Sequence, residues 1–376
     1  NCKRDLLSFN EISDSLCKPI SNSLMEECYY LISMKGKITI DYDLANQFIL
    51  GLSNNISDSM IYQISIWINK QKHTERFKYP VWGIYFKDKK AIDASGVTKQ
   101  TVTMATSSFL NPWTGICIIS PNITESTPDE LNDSKNGIEK SKETLVIPYP
   151  SKIDDSIQKV LYGFGVILGS IIRYGMNQDI PFPLFIWNFF TGKSISSQDV
   201  YENDHRLEKE IKELKNGNIT NHPWVYRDWN NTIQSLNCFS NSQYVTKENA
   251  DVYERIVLDL RIKKLEKCLI PIKDGLLDNI EMRDFVILLA GPMLRFLSNG
   301  KQKMDLKSII NRIVFQDGTQ QVKNNFIQIL SEYDEEMMKK FLKFTTSVEK
   351  PPNLSVTPDY YIYVSFTDDL GKLPFA

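Results

Sequence analysis

The sequence predicts a mostly helical α+β fold. Two observations carry this. Between Leu161 and Gly217 apolar residues recur at three-to-four spacing in segments closed by glycine or proline, the pattern of packed helices. Elsewhere, short runs such as Pro80–Phe86 (PVWGIYF) and His222–Trp229 (HPWVYRDW) are rich in aromatic and β-branched residues and alternate in a way that suits small sheets. A chain of 376 residues is long enough for two or three domains with sizeable cores.

Taken in order, residues 1–76 read as a helical extension, with segments such as Asp58–Asn69 carrying bulky apolar side chains, and are expected to brace the next domain. From Phe77 the pattern changes to the strand Pro80–Phe86, followed by KDKKAIDASGVTKQ. There Asp93, close to Gly96, reads as a turn that launches a helix. Asn122–Thr144 is polar and poor in apolar residues, which predicts a mobile surface insertion. Leu145–Pro150 (LVIPYP) restores a strand-like signal.

The next stretch is the best punctuated. Leu161, Phe164, Leu168, Ile171 and Ile172 share one helical face, with Gly165 and Gly169 one turn apart on a neighbouring stripe. Each glycine costs a helix roughly 1 kcal/mol against alanine, so the pair points to close approach of another backbone or to plain core packing. Gly175 supplies a left-handed C-cap, and Pro181 and Pro183 keep the helix from resuming. An aromatic run from Phe182 to Phe190, centred on Trp187, closes at Gly192. Ser196 with Asp199 forms a capping-box pattern, and Asp204 caps a further helix that carries Leu207, Ile211 and Leu214 on one narrow stripe. Glu208 with Lys212 and Lys209 with Glu213 make its other face a solvated one.

Composition excludes several classes of function. A formal net charge of -2, with Lys and Arg scattered, disfavours nucleic acid as a partner. No apolar run reaches the about eighteen residues of a membrane span, and NCKRDLLSFN lacks a signal-peptide core, so a cytoplasmic or nuclear protein is expected. Six cysteines without a C-x-x-C pair and three dispersed histidines indicate no metal site, no disulfide framework and no cofactor. The sequon Asn122-Ile123-Thr124 reads as chance.

Several of these residues also carry a resemblance. Phe164, Leu168, Gly169 and Ile172 make F-x-x-x-L-G-x-x-I. After it come I-W-x-x-x-x-G at Ile186, Trp187 and Gly192, then S-x-x-D at Ser196 and D-x-x-L at Asp204. Further along stand V-T-x-E-N-x-x-x-Y at Val245–Tyr253, Arg261, Gly275, and F-L-K-F-T-T at Phe341–Thr346 followed by Pro351. Upstream, Asp93, Gly96, Val97 and Thr98 fit the same scheme, with Ser95, Gln100 and Ser347 as departures. In order and spacing, from about Phe77 to Pro351, this is similar to the HECT-type ubiquitin ligases. Ile186, Trp187 and Gly192 lean to their HERC-like branch.

The resemblance implies a bilobal HECT domain. Residues 77–333 would form a large N-lobe, with a conjugating-enzyme-binding subdomain at about 204–262, and 334–376 the start of an incomplete C-lobe, after the extension 1–76. The lobes would pivot near Ser331–Asp334. It implies a ligase that accepts ubiquitin from a ubiquitin-conjugating enzyme as a cysteine thioester and delivers it to lysines of protein substrates. The family's nucleophile sits in L-P-x-x-x-T-C-F. Leu373 and Pro374 align with its L-P, so the chain as given is expected to stop short of the cysteine, contain no catalytic residue and be inactive. In the other alignment Asp368, after Thr367, takes the cysteine's place in a dead ligase. Cys238 precedes Phe239 but falls in a loop of the first lobe. For docking, the matching positions are Leu207 and Ile211 on the capped helix, Trp224 and Tyr226 on the aromatic strand, and Tyr253. A short amphipathic helix beside an aromatic strand can form an apolar groove; the alternative is that all five pack internally. The rival function is a scaffold that binds conjugating enzyme or ubiquitin without transferring it.

Overall fold

The computed structural model describes residues 37–53, 55–70, 83–86, 96–123, 144–236, 244–278, 283–300, 306–346 and 361–366. Among the described residues helices dominate, and the strands pair two by two, in five small sheets.

β1 (Lys37–Ile40) leads into α1 (Tyr42–Ile49), which Asp41 caps by accepting from the Leu44 N–H. β1 runs parallel to β2 (Gly83–Phe86), with Lys37 opposite Gly83 and Ile40 opposite Phe86. A wholly helical extension is therefore corrected at Lys37–Ile40: the β-branched run Ile-Thr-Ile finds a strand partner more than forty residues away. α2 (Met60–Lys70) behaves as the expected brace. It buries Met60, Ile61, Ile64 and Ile68 against α3 (Gly96–Leu110) and α4 (Asp155–Tyr174). β3 (Cys117–Ile119) and β4 (Val146–Pro148) pair antiparallel beside them.

α4 is the central helix. Asp154 caps its start, accepting from the Ile157 N–H, and Gly175 at φ 59° closes it. Its segment Asp155–Arg173, with mean hydropathy 1.2, is long and apolar enough by length and composition to cross a membrane, which corrects the expectation of no such run. Lys159 and Arg173 interrupt its apolar residues, and α2, α3 and α8 (Ala250–Asp278) pack against this helix inside the protein. Phe109 stacks on Phe164, and Phe182 packs edge-on to the same ring.

α5 (Leu184–Phe190) follows Pro183, with Trp187 Nε1 donating to the Phe182 carbonyl. Gly192 turns the chain at φ 93°. α6 (Ser197–Asn203) opens on the capping box, Ser196 N–H donating to Asp199 and Asp199 N–H to Ser196 Oγ. α7 (His205–Asn216) ends at Gly217, φ 75°. The segment His222–Trp229 is not one strand. It divides into β5 (His222–Pro223) and β6 (Val225–Arg227), which pair with β8 (Tyr244–Val245) and β7 (Ile233–Ser235) respectively. Proline has no N–H to continue a ladder, and Trp224 between the two pairs accepts from Leu236 instead. α8 runs unbroken through Gly275, where the glycine serves a helix crossing.

α9 (Arg283–Leu288) and α10 (Gly291–Asn299) follow, α10 packing on α5. One apolar cluster holds side chains from Ile40 to Leu297. A second joins α11 (Leu306–Ile310), β9 (Ile313–Phe315), α13 (Glu335–Thr346) and β10 (Ile362–Val364), built on Ile309, Met338, Leu342 and Ile362. β9 and β10 are parallel. Helix α12 (Gln320–Ser331) ends where a break was expected, but Tyr333 and Met338 on either side of the 333/334 boundary belong to this second cluster. Among the described residues the first cluster thus draws on residues 40–297 and the second on residues 306–364. Asp93, Ser95, residues 124–143, Cys238, Ser347, Pro351, Asp368, Leu373 and Pro374, on which other expectations rest, lie outside the described residues.

Candidate functional site

α7, the β5–β8 and β6–β7 pairs and the first half of α8 meet around two polar centres, one buried and one half-buried. The first is Asp204. One carboxylate oxygen caps α7 by accepting from the Leu207 N–H at 3.2 Å, and the other accepts from Arg261 Nη1 at 2.7 Å. Arg261 is fully buried and its guanidinium lies 4.2 Å over the Trp229 ring. Trp229 Nε1 donates to the Arg261 carbonyl, and Phe185 stacks on the indole.

The second centre is Glu210. Its Oε1 is 2.8 Å from the Tyr253 hydroxyl and 3.3 Å from His222 Nε2. Burial is the largest influence and opposes its charge. The hydrogen bonds from His222 and Tyr253, with the charges of His222 and Arg227, outweigh it and hold the carboxyl below its ordinary value. The Tyr253 hydroxyl also lies 2.8 Å from the Val225 carbonyl, so helix and strand are tied through one phenol. Burial first, and then the Glu210 charge, raise its pKa. His222 and Trp224 both set ring edges against Tyr253, at 5.3 and 6.1 Å between centroids.

Beneath these, Asp228 accepts from the Tyr149 hydroxyl at 2.7 Å, the Trp229 N–H at 2.9 Å and Lys264 Nζ at 2.6 Å. Burial opposes the lysine's charge, but its hydrogen bond to Asp228 prevails and raises its pKa. On the other side Glu254 takes the Tyr201 hydroxyl and Lys215 Nζ, joining α6, α7 and α8. An open cleft of about 400 Å³ runs along α8 there, lined by Ser197, Glu254, Arg255, Leu258, Asp259 and Ile262.

A family model described as HECT-domain (ubiquitin-transferase) matches residues 104–376, well over half of the chain. The chain belongs to the HECT-domain family. No curated protein matches it. Membership implies ubiquitin transfer in general, and with it dealings with ubiquitin and a ubiquitin-conjugating enzyme.

In this HECT domain the five residues singled out for docking belong to, or pack against, one apolar cluster. Leu207, Ile211, Tyr226 and Tyr253 are buried, between 0% and 4% exposed, while Trp224 is half-buried. Trp224 is thus the most exposed of the five. Tyr244, opposite Pro223, and Ile233, opposite Arg227, are exposed at 37% and 64%. Among the described residues Cys117 and Cys268 are buried thiols. Burial pushes Cys117 well up and Cys268 up to about 12, so neither presents the thiolate that thioester chemistry requires. No group of His, Cys, Asp or Glu among the described residues is arranged to hold a metal.

Sequence reasoning missed Arg261 as a buried charge. The signal was there: Tyr253, Val257, Arg261 and Leu265 share one four-residue register of α8, and all four are buried. A charge on such a stripe needs a partner, and Asp204 is that partner.

Proposed function

We propose that this HECT domain is the ligase unit of a HERC-like ubiquitin-protein ligase and takes ubiquitin from a conjugating enzyme as a cysteine thioester. In the first step a cysteine thiolate attacks the thioester carbonyl on the conjugating enzyme, whose own thiolate leaves. In the second a substrate lysine amine attacks the new thioester, forming an isopeptide bond and freeing the cysteine. The family's L-P-x-x-x-T-C-F puts that cysteine a few residues after Leu373 and Pro374. The domain is bilobal in this reading, and the two apolar clusters favour a junction between residues 300 and 306 over one at 333/334.

The observation that carries the docking part is Trp224, half-buried with its ring edge on buried Tyr253. The conjugating enzyme docks over Trp224, and Leu207, Ile211, Tyr226 and Tyr253 form the floor that holds the indole in place. An aromatic anchor on a packed base is the arrangement that concentrates binding energy in an interface.

The test uses the protein carried past Ala376 through the T-C-F position, a conjugating enzyme and ubiquitin. A thiol-reducible ubiquitin adduct is expected, formed more slowly by Trp224→Ala. The second reading, a scaffold that binds without transfer, draws on the burial of both described thiols. It prevails if the extended protein binds the conjugating enzyme but forms no reducible adduct.

A further inference from the structure

We propose that Arg261 is the positioning residue of the docking face: paired with Asp204, it sets where α7 begins relative to α8 and the β6–β7 hairpin. This rests on the reading that the Trp224 face docks the conjugating enzyme.

Asp204 has two tasks, one for each carboxylate oxygen. Oδ1 starts α7 through the Leu207 N–H, and Oδ2 takes Arg261 Nη1. The cap is a local device that any good acceptor provides. The ion pair is not local: it fixes the capped end of α7 to a point on α8 fifty-seven residues further on. The same guanidinium lies on Trp229, just past β6, and the indole returns a hydrogen bond to the Arg261 carbonyl. Helix start, long helix and hairpin thus meet at one side chain. Arg261 Nε and Nη2 have no hydrogen-bond partner, so the buried charge depends on Asp204 and on the indole face. Nothing else in the group is as demanding: Asp228, by contrast, has three donors.

The α4–α8 crossing at Gly275 lies fourteen residues further along α8, about 21 Å at the helical rise. Disturbing the pair should therefore loosen α7 and leave that core in place.

Asp204→Asn separates the two tasks, because asparagine caps as well as aspartate but carries no charge. Binding is titrated with the tightest of a panel of ubiquitin-conjugating enzymes, and amide exchange is followed at Leu207–Leu214 and at Val160–Ile171. For Asp204→Asn we expect an affinity loss of about tenfold or more. Exchange should quicken more at Leu207–Leu214 than at Val160–Ile171. Arg261→Lys, which keeps the charge and loses the fork, should fall between this variant and the unmodified protein. Trp224→Ala is the control for the docking reading. If Trp224→Ala weakens binding while Asp204→Asn does not, the positioning role is overturned and the docking site stands. If neither variant weakens binding, or nothing in the panel binds, the docking reading fails and takes the positioning role with it. Equal quickening of exchange in both segments also overturns positioning, since the pair would then support the fold as a whole.

Discussion

Gly165 on α4 and Gly275 on α8 admit each other's helix backbone. A β-carbon on Gly165 would stand 2.0 Å from the Ile272 carbonyl oxygen, and one on Gly275 would stand 2.1 Å from that of Tyr162. Both obstacles are backbone, so no side-chain rotation relieves them. Gly165→Ala and Gly275→Ala are each expected to destabilise the protein by about 1–3 kcal/mol, although alanine is the better helix former. Urea unfolding should show a lower midpoint with an unchanged slope.

The Asp204–Arg261 pair makes an asymmetric prediction. Arg261→Met leaves the buried Asp204 carboxylate with the Leu207 N–H and, 3.9 Å away, the Arg206 guanidinium, and should cost up to about 3–5 kcal/mol. Adding Asp204→Ser keeps an N-cap acceptor and removes the buried charge, so the double variant should recover most of the loss. Chemical denaturation of the two single variants and the double gives the coupling directly.

Glu210 predicts a pH dependence. Its folded pKa is held below the ordinary carboxylate value by His222 and Tyr253 against burial. The unfolded chain therefore binds its proton first as pH falls. The stabilisation from Glu210 is complete above about pH 4.3, the unfolded value, and is lost as pH drops through the lower folded value. Glu210→Gln should lower the melting temperature at pH 7 and have progressively less effect towards pH 3, as followed by thermal melts across that range.

The described thiols predict a labelling pattern. With Cys268 pushed up to about 12 and Cys117 well above its ordinary value by burial, neither is a thiolate at pH 8. Peptide mapping after iodoacetamide treatment of the native protein should find both unmodified, and both labelled once the chain is unfolded in urea.

The candidate site was half legible in the sequence. Asp204 as a cap and the stripe Leu207–Ile211–Leu214 were readable, because each rests on neighbours within a few turns of helix. The burial of Leu207, Ile211, Tyr226 and Tyr253 was not, and neither was the separate position of Trp224. Hydrophobicity marks a residue as wanting cover but does not say whether its own chain or a partner supplies it.

By itself the sequence determined the local devices. The capping box at Ser196 and Asp199, the Asp204 cap and the left-handed Gly175 stand as their spacing required, because a cap is decided within four or five residues of chain. The order and spacing of the motifs likewise pointed to the family that the match over residues 104–376 shows. Tertiary structure alone decided the rest: the pairing of Lys37–Ile40 with Gly83–Phe86, the passage of α8 through Gly275, the two apolar clusters drawn from residues 40–297 and 306–364, and the union of Asp204 with Arg261. These depend on which distant segments exclude water together, and burial of that kind is a property of the packed chain rather than of any window along it.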